Sequence, residues 1–154
     1  MTKLTCLDLD KNQIGKNGVQ YLVPALMKMT KLEKLYLHEN QTGNDGIATL
    51  CSVLPQMKGL KMLFLLRNKI GNDGIATLCS VLPQMKGLIG LNLYRNQIDD
   101  VGCHFILDLL KNGTFPSSLG RLGLRGNSIS NETKNEFRKE WEKAKGKNTN
   151  YLYL

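Results

Sequence analysis

The stretch GNDGIATLCSVLPQMKGL occupies residues 43–60 and recurs, letter for letter, at residues 71–88. An offset of 28 residues therefore governs the middle of the chain, and applied in both directions it exposes a second pattern, LxxLxLxxNxI. This reads LTCLDLDKNQI at 4–14, LEKLYLHENQT at 32–42, LKMLFLLRNKI at 60–70, LIGLNLYRNQI at 88–98 and LGRLGLRGNSI at 119–129. Self-similarity at a fixed period of this size is the mark of stacked supersecondary units, each unable to bury its apolar face alone. The last interval is three residues longer, and the excess falls in KNGTFPSS, residues 111–118, whose Gly, Pro and Ser content predicts an enlarged surface loop.

Each repeat reads physically as a strand followed by a helix. Leu60, Leu63 and Leu65 give one buried side of a short strand. Asn68 follows where the chain turns away, and its side-chain amide can satisfy backbone groups there. Stacking aligns Asn12, Asn40, Asn68, Asn96 and Asn127 into a ladder with a structural role. In the second half, Ile47, Ala48, Leu50, Cys51, Val53 and Leu54 recur at helical spacing, with Asn44-Asp45 and Asn72-Asp73 offering N-cap chemistry. Pro55 and Pro83 are expected to end these helices, and Pro24 to distort or shorten the first one. Gly18, Gly46, Gly74 and Gly102 share one repeat position, as expected where backbones approach closely or adopt an unusual torsion. Cys51 and Cys79 sit among Leu and Val as buried free thiols.

The five-fold pattern resembles the leucine-rich repeat family, in its ribonuclease-inhibitor-like subclass with long repeats and a helix in each. The resemblance spans nearly the whole chain. It implies an α/β solenoid bent into a horseshoe arc, with a parallel β-sheet on the concave face and helices on the convex face. On this reading residues 1–154 form a single domain, with repeats starting near 4, 32, 60, 88 and 119 and a C-terminal cap over 130–154. In that cap, Phe137, Trp141 and Ala144 form one apolar stripe on a charged helix that Ser130 or Asn131 can cap. The closing TNYLYL is expected to add a sixth strand, its repeat starting near Thr149 with Leu152 and Leu154 in the phase of the earlier leucines. The first repeat begins at Leu4 with no cap of its own, so the expectation is a piece of a longer protein or self-association through an open strand edge.

Composition narrows the function classes. No apolar run reaches the roughly 18 uncharged residues of a membrane helix, and the first residues lack a signal-peptide core, so a soluble cytoplasmic protein is expected. Four cysteines without a CxxC suggest reduced thiols and neither a disulfide framework nor a metal site. Lys and Arg number 21 against 13 Asp and Glu, a net charge of +8, and each half of the chain carries +4. An evenly spread basic surplus makes nucleic acid the weaker rival to a protein partner.

The residues that alternate with the buried leucines point out of the sheet. They are Cys6, Lys34, Met62, Gly90 and Arg121 at the third position of each repeat, Asp8, Tyr36, Phe64, Asn92 and Gly123 at the fifth, and Asp10, His38, Leu66, Tyr94 and Arg125 at the seventh. Tyr36, Met62, Phe64, Leu66 and Tyr94 form a contiguous apolar patch, flanked by Lys34, His38, Asn92 and the arginines Arg67, Arg95, Arg121 and Arg125, with Asp8, Asp10 and Glu39 toward the N-terminal side. An apolar centre inside a charged rim has the composition of a protein interface. An extended face is a poor enclosure for a small molecule.

No catalytic residue, cofactor or metal ligand is expected. His38 beside Glu39 and His104 in the fourth helical segment have no nucleophile placed to join them, and His38 is expected to be a solvated surface residue. No GxxxxGK[ST] phosphate loop occurs. The resemblance implies protein binding, as in ribonuclease inhibitors, GTPase-activating proteins, the sensing domains of cytosolic innate-immune receptors and bacterial effectors delivered into host cells. A charge of +8 with four cysteines argues against an inhibitor of basic ribonucleases, and the mixed, basic C-terminal tail against the GTPase-activating type. The expectation is a non-enzymatic recognition module, best matched to part of a receptor. A regulator of a partner enzyme such as a GTPase, or a host-directed effector, stands as the alternative.

Overall fold

The protein is described by a computed structural model over residues 3–146 and 151–154. Strand and helix alternate along it: β1 (Cys6–Asp8), α1 (Gly15–Leu26), β2 (Lys34–Tyr36), α2 (Gly43–Cys51), β3 (Met62–Phe64), α3 (Asn72–Val81), β4 (Gly90–Asn92), α4 (Asp100–Lys111), β5 (Arg121–Gly123), α5 (Asn131–Lys145) and β6 (Leu152–Tyr153). The six strands form one open parallel sheet in sequence order, and consecutive helices pack side by side along it. Leu7, Leu35, Leu63, Leu91, Leu122 and Leu152 pair in register across the strands, the sixth strand included. Thr149, the expected start of that last unit, lies outside the described residues. The core lies between sheet and helices. There Leu60, Leu63 and Leu65 meet Ile75, Leu78 and Cys79, all buried, and the neighbouring repeats supply the same set.

Two side-chain ladders bind the repeats to one another. In the first, each asparagine carbonyl accepts two N–H groups from the preceding turn: Asn68 Oδ1 from the Asn40 and Thr42 amides at 3.2 and 3.3 Å, and Asn96 Oδ1 from Asn68 and Ile70 at 2.9 and 3.1 Å. Asn40 and Asn127 do the same for their neighbours. The amide nitrogens donate back to strand-end carbonyls, as Asn68 Nδ2 does to Leu37 and Leu66. The ladder holds a turn in which Lys11, Glu39, Arg67 and Arg95 adopt positive φ, and only the fifth repeat places a glycine, Gly126, at that position. Left-handed backbone costs a non-glycine residue about 1 kcal/mol, which the paired buried amides offset.

The second ladder runs the other way and corrects the capping expectation. Asn44 and Asn72 cap no helix of their own; their carbonyls accept the Gly71 and Asp99 amides of the following repeat at 2.7 and 3.2 Å. Asp100 continues the series by accepting from the Ser130 amide at 2.8 Å. Side-chain N-caps occur where Asp99 accepts from Val101 and Ser130 accepts from Thr133. The recurring glycines serve close approach and not torsion: a Cβ on Gly74 would stand 2.7 Å from Asn44 Oδ1, and one on Gly102 would collide with Asn72 Oδ1.

The prolines behave differently from one another. Pro55 and Pro83 open short 3-10 turns at Leu54–Gln56 and Leu82–Gln84. Pro24 does not shorten α1, which runs 12 residues, because it lies in the last turn and removes only one donor. At the C-terminal end Trp141 is 1% exposed and anchors the cap, packed edge-on against Phe115 at 5.7 Å and beside Phe137. Ala144 is exposed, so the buried stripe of α5 is Thr133, Phe137 and Trp141. The enlarged loop is only partly on the surface, since Phe115 and Pro116 are buried beneath the cap. Lys145 closes the corner by donating to the Pro116 and Ser117 carbonyls, and burial lowers the pKa of its ammonium group.

Candidate functional site

The sheet face away from the helices carries the predicted residues, because alternation along each strand sends the flanking side chains outward while the central leucine turns in. Lys34, Met62, Gly90 and Arg121 align in one row with Cys6, and Asp8, Tyr36, Phe64, Asn92 and Gly123 in the next. Tyr36, His38, Met62, Phe64, Leu66, Asn92 and Tyr94 are half-buried, whereas Lys34, Arg67, Arg95, Arg121 and Arg125 are exposed.

The apolar patch divides into two clusters. On β2 and β3, Tyr36 and Phe64 stack with ring centroids 4.3 Å apart and planes 6° from parallel, an arrangement worth about 1 kcal/mol beyond its area. His38 meets both rings edge-on, at 6.0 and 5.6 Å. Its ring is not solvated as expected. Its side chain is 17% exposed, its Nε2 lies 3.6 Å from Asp10 Oδ2, and Asp10 Oδ1 accepts the His38 backbone N–H at 2.6 Å. Toward the C-terminus, Tyr94 packs edge-on against Tyr153 at 6.1 Å. Burial raises the pKa of the Tyr94 phenol, with Tyr153 adding to the effect and Arg125 opposing it.

Between the clusters lies a hollow of about 120 Å³, lined by Met62, Phe64, Asn92, Tyr94, Arg121 and Tyr153 among others. It exists because Gly90 and Gly123 put no side chain on β4 and β5, and their neighbours lean over the gaps. Met62 covers Gly90, its Cε 2.5 Å from where a Cβ would stand, and the Tyr94 ring covers Gly123. Asn92 serves this region structurally, accepting the Tyr94 N–H at 3.0 Å.

The charged rim is unequal. Arg67 pairs with Glu39 at 3.1 Å, joining two neighbouring strand exits. Arg121 lies over the Tyr151 ring at 4.7 Å, a cation–π contact. Tyr151 and Tyr153 were absent from the predicted site, although they flank Leu152 as Arg121 and Gly123 flank Leu122, and that repeat phase would have found them.

Among the described residues no group of His, Cys, Asp and Glu is placed to hold a metal ion. Cys51, Cys79 and Cys103 are buried, and burial pushes each thiol up to about 12, away from nucleophilic character. His104 lies on α4, its Nδ1 against the Asp100 carbonyl and its Nε2 3.7 Å from Glu136, holding α4 to α5. Among the described residues no helix is long and apolar enough to cross a membrane.

A comparison with curated proteins gives no match. Residues 1–23 match the family model described as Leucine Rich repeat, a family whose members generally serve as non-enzymatic interaction modules. That match covers the first strand and most of the first helix, and together with six parallel strands alternating with helices in one open sheet it supports a leucine-rich repeat protein.

Proposed function

We propose that the protein is a non-enzymatic recognition module that binds a protein partner through the open, concave side of its sheet, centred on Phe64 and Tyr94. The observation that carries this reading is the aromatic surface itself. Tyr36, Phe64 and Tyr94 stand on the side of the sheet away from the leucine core; Tyr36 stacks on Phe64, and Phe64 and Tyr94 line an apolar hollow that has Arg121 in its wall. Large aromatic side chains beside arginine are the residues that dominate protein interfaces. The ribonuclease-inhibitor-like subclass, with its long helical repeats, is supported by the 28-residue period and by a helix in every repeat. Membership of a larger receptor-like protein acting in the cytoplasm is the setting this reading favours.

The test replaces Tyr36, Phe64, Leu66 and Tyr94 together with polar residues and compares capture of partners from a lysate with that of the unaltered protein. Capture is expected to be lost while the far-ultraviolet circular dichroism is retained, because none of the four belongs to the buried leucine set. Capture of the same partners at the same level would refute the open-face reading.

A further inference from the structure

The open face is electrostatically divided. Its acidic residues are occupied: Asp10 holds the His38 backbone, Asp8 accepts the Asp10 amide, and Glu39 pairs with Arg67. At the other end Arg95, Arg121 and Arg125 are exposed, and none makes an ion pair among the described residues. Two depressions meet there. The apolar hollow has Arg121 in its wall. A second one of about 590 Å³ brings Arg67, Arg95 and Arg125 together with Leu66, and Tyr94 lines both. Arg67 is engaged by Glu39, whereas Arg95, Arg121 and Arg125 meet no carboxylate among the described residues and keep their donors for an outside anion, and a forked guanidinium matches a carboxylate in geometry.

We propose that these two depressions receive an acidic segment of a partner protein, with one large apolar side chain seated in the hollow and flanking carboxylates on Arg95, Arg121 and Arg125. This rests on the protein-binding reading above and specifies its partner. The hollow favours peptide over nucleic acid. Its wall is mostly carbon, so a seated nucleobase would leave polar edge atoms without partners, whereas an aliphatic or aromatic side chain leaves none. The arginines supply the attraction and the hollow supplies the selection for an apolar residue.

The experiment measures fluorescence anisotropy of labelled synthetic peptides on the whole protein at low ionic strength. The probes are an alternating Asp/Glu peptide with a central Phe, the same peptide with a central Ser, a Lys counterpart with a central Phe, and a thymidine oligonucleotide of equal charge. The acidic Phe peptide is expected to bind, the Ser peptide about tenfold more weakly, and the Lys peptide not at all. Arg121→Glu should weaken the Phe peptide by tenfold or more, on the order of one lost charge-assisted contact. Arg138→Glu, which makes the same charge change on the outer helix α5, should leave it unaltered. Gly90→Leu adds a side chain at the wall of the hollow, where its Cβ would displace the flexible Met62 tip, and should abolish the preference for Phe over Ser. Equal binding of the Phe and Ser peptides, an equal effect of Arg138→Glu, or tighter binding of the oligonucleotide would overturn the proposal. A lysate partner whose capture depends on Phe64 and Tyr94 but is indifferent to Arg121→Glu and Gly90→Leu would also overturn it, while the protein-binding reading stands.

Discussion

Leu7 and Leu63 hold the same place in their strands, yet Leu63 is fully buried and Leu7 only partly so. The difference runs through much of the first repeat, although Val19 and Leu26 on its helix are fully buried. Leu4 is 40% exposed where its counterpart Leu60 is 2% exposed, and Leu9, Ile14, Leu22 and Val23 are likewise only partly covered. The polar ladders thin out in the same place. Asn68 receives two amides and gives two hydrogen bonds, whereas the Asn12 side chain makes one, to the Asp10 carbonyl. At the position of Asn44 and Asn72 the first repeat carries Lys16, which offers no acceptor and instead meets Asp45 across the surface at 3.3 Å. Sequence of the same type therefore has different energetic weight according to its neighbours, as expected of a structure in which each unit leans on the next. The C-terminal end shows the opposite outcome, because Trp141, Phe137 and Phe115 cover what would otherwise be an exposed flank.

That contrast can be broken or sharpened by mutation. The largest effect is expected at the cap, where Trp141→Ala should cost about 3–5 kcal/mol in chemical denaturation. An unchanged midpoint would mean that the cap is not part of the cooperative unit. Next, Leu63→Ala should cost about 3 kcal/mol and Leu7→Ala about 1 kcal/mol, since cavity cost follows the burial that is lost. Equal costs would erase the distinction between inner and first repeats. Within the ladder, Asn68→Ala strands two inward N–H groups and should cost about 2–3 kcal/mol, while Asn12→Ala should fall below about 0.5 kcal/mol. Thr42 gives a gain. It is 2% exposed where the other repeats place isoleucine, and its hydroxyl has no partner among the described residues. Thr42→Val should stabilise by about 1 kcal/mol, and a loss would reveal a hydrogen bond to that hydroxyl.

The smallest effect is a dependence on acid. In the folded protein the carboxyl of Asp99 lies below its ordinary 3.8, chiefly through the Asn72 side-chain donor and then the Val101 amide, and that of Asp100 through the Ser130 amide. A depressed folded value means that the stabilisation is fully present above the unfolded value and is lost as pH falls through the folded one. Thermal denaturation should therefore show stability declining below about pH 4. Asp99→Asn, which keeps a capping acceptor, should flatten that decline, and an unaltered acid limb would remove Asp99 from its causes.

Much of the fold was legible because the signals were local or repeated. LxxLxL places a leucine inward at a fixed phase, and five copies plus TNYLYL fix six strands in register. The residues of the open face follow from the same alternation, so Tyr36, Phe64, Tyr94 and the arginines could be placed beforehand. Less legible was what these side chains touch. His38 reads as a surface residue until Asp10, Tyr36 and Phe64 close around it from three different turns of the chain. KNGTFPSS reads as a loop because the partner of Phe115 is Trp141, 26 residues away.

By itself the sequence determined the period, the strand register, the buried leucines and the asparagine rungs, since each depends on a residue type recurring at one position. The tertiary structure decided which repeat owns each interaction. Asn44 and Asn72 look like caps of their own helices and instead hold the next repeat, because the amide within reach belongs to the neighbour. Arg67 and Arg95 take left-handed backbone without a glycine because the asparagine ladder fixes the turn around them. The hollow beside Tyr94 arises only when Gly90 and Gly123 stand on adjacent strands with Met62 and Tyr94 leaning over them, a meeting that depends on stacking and not on sequence order.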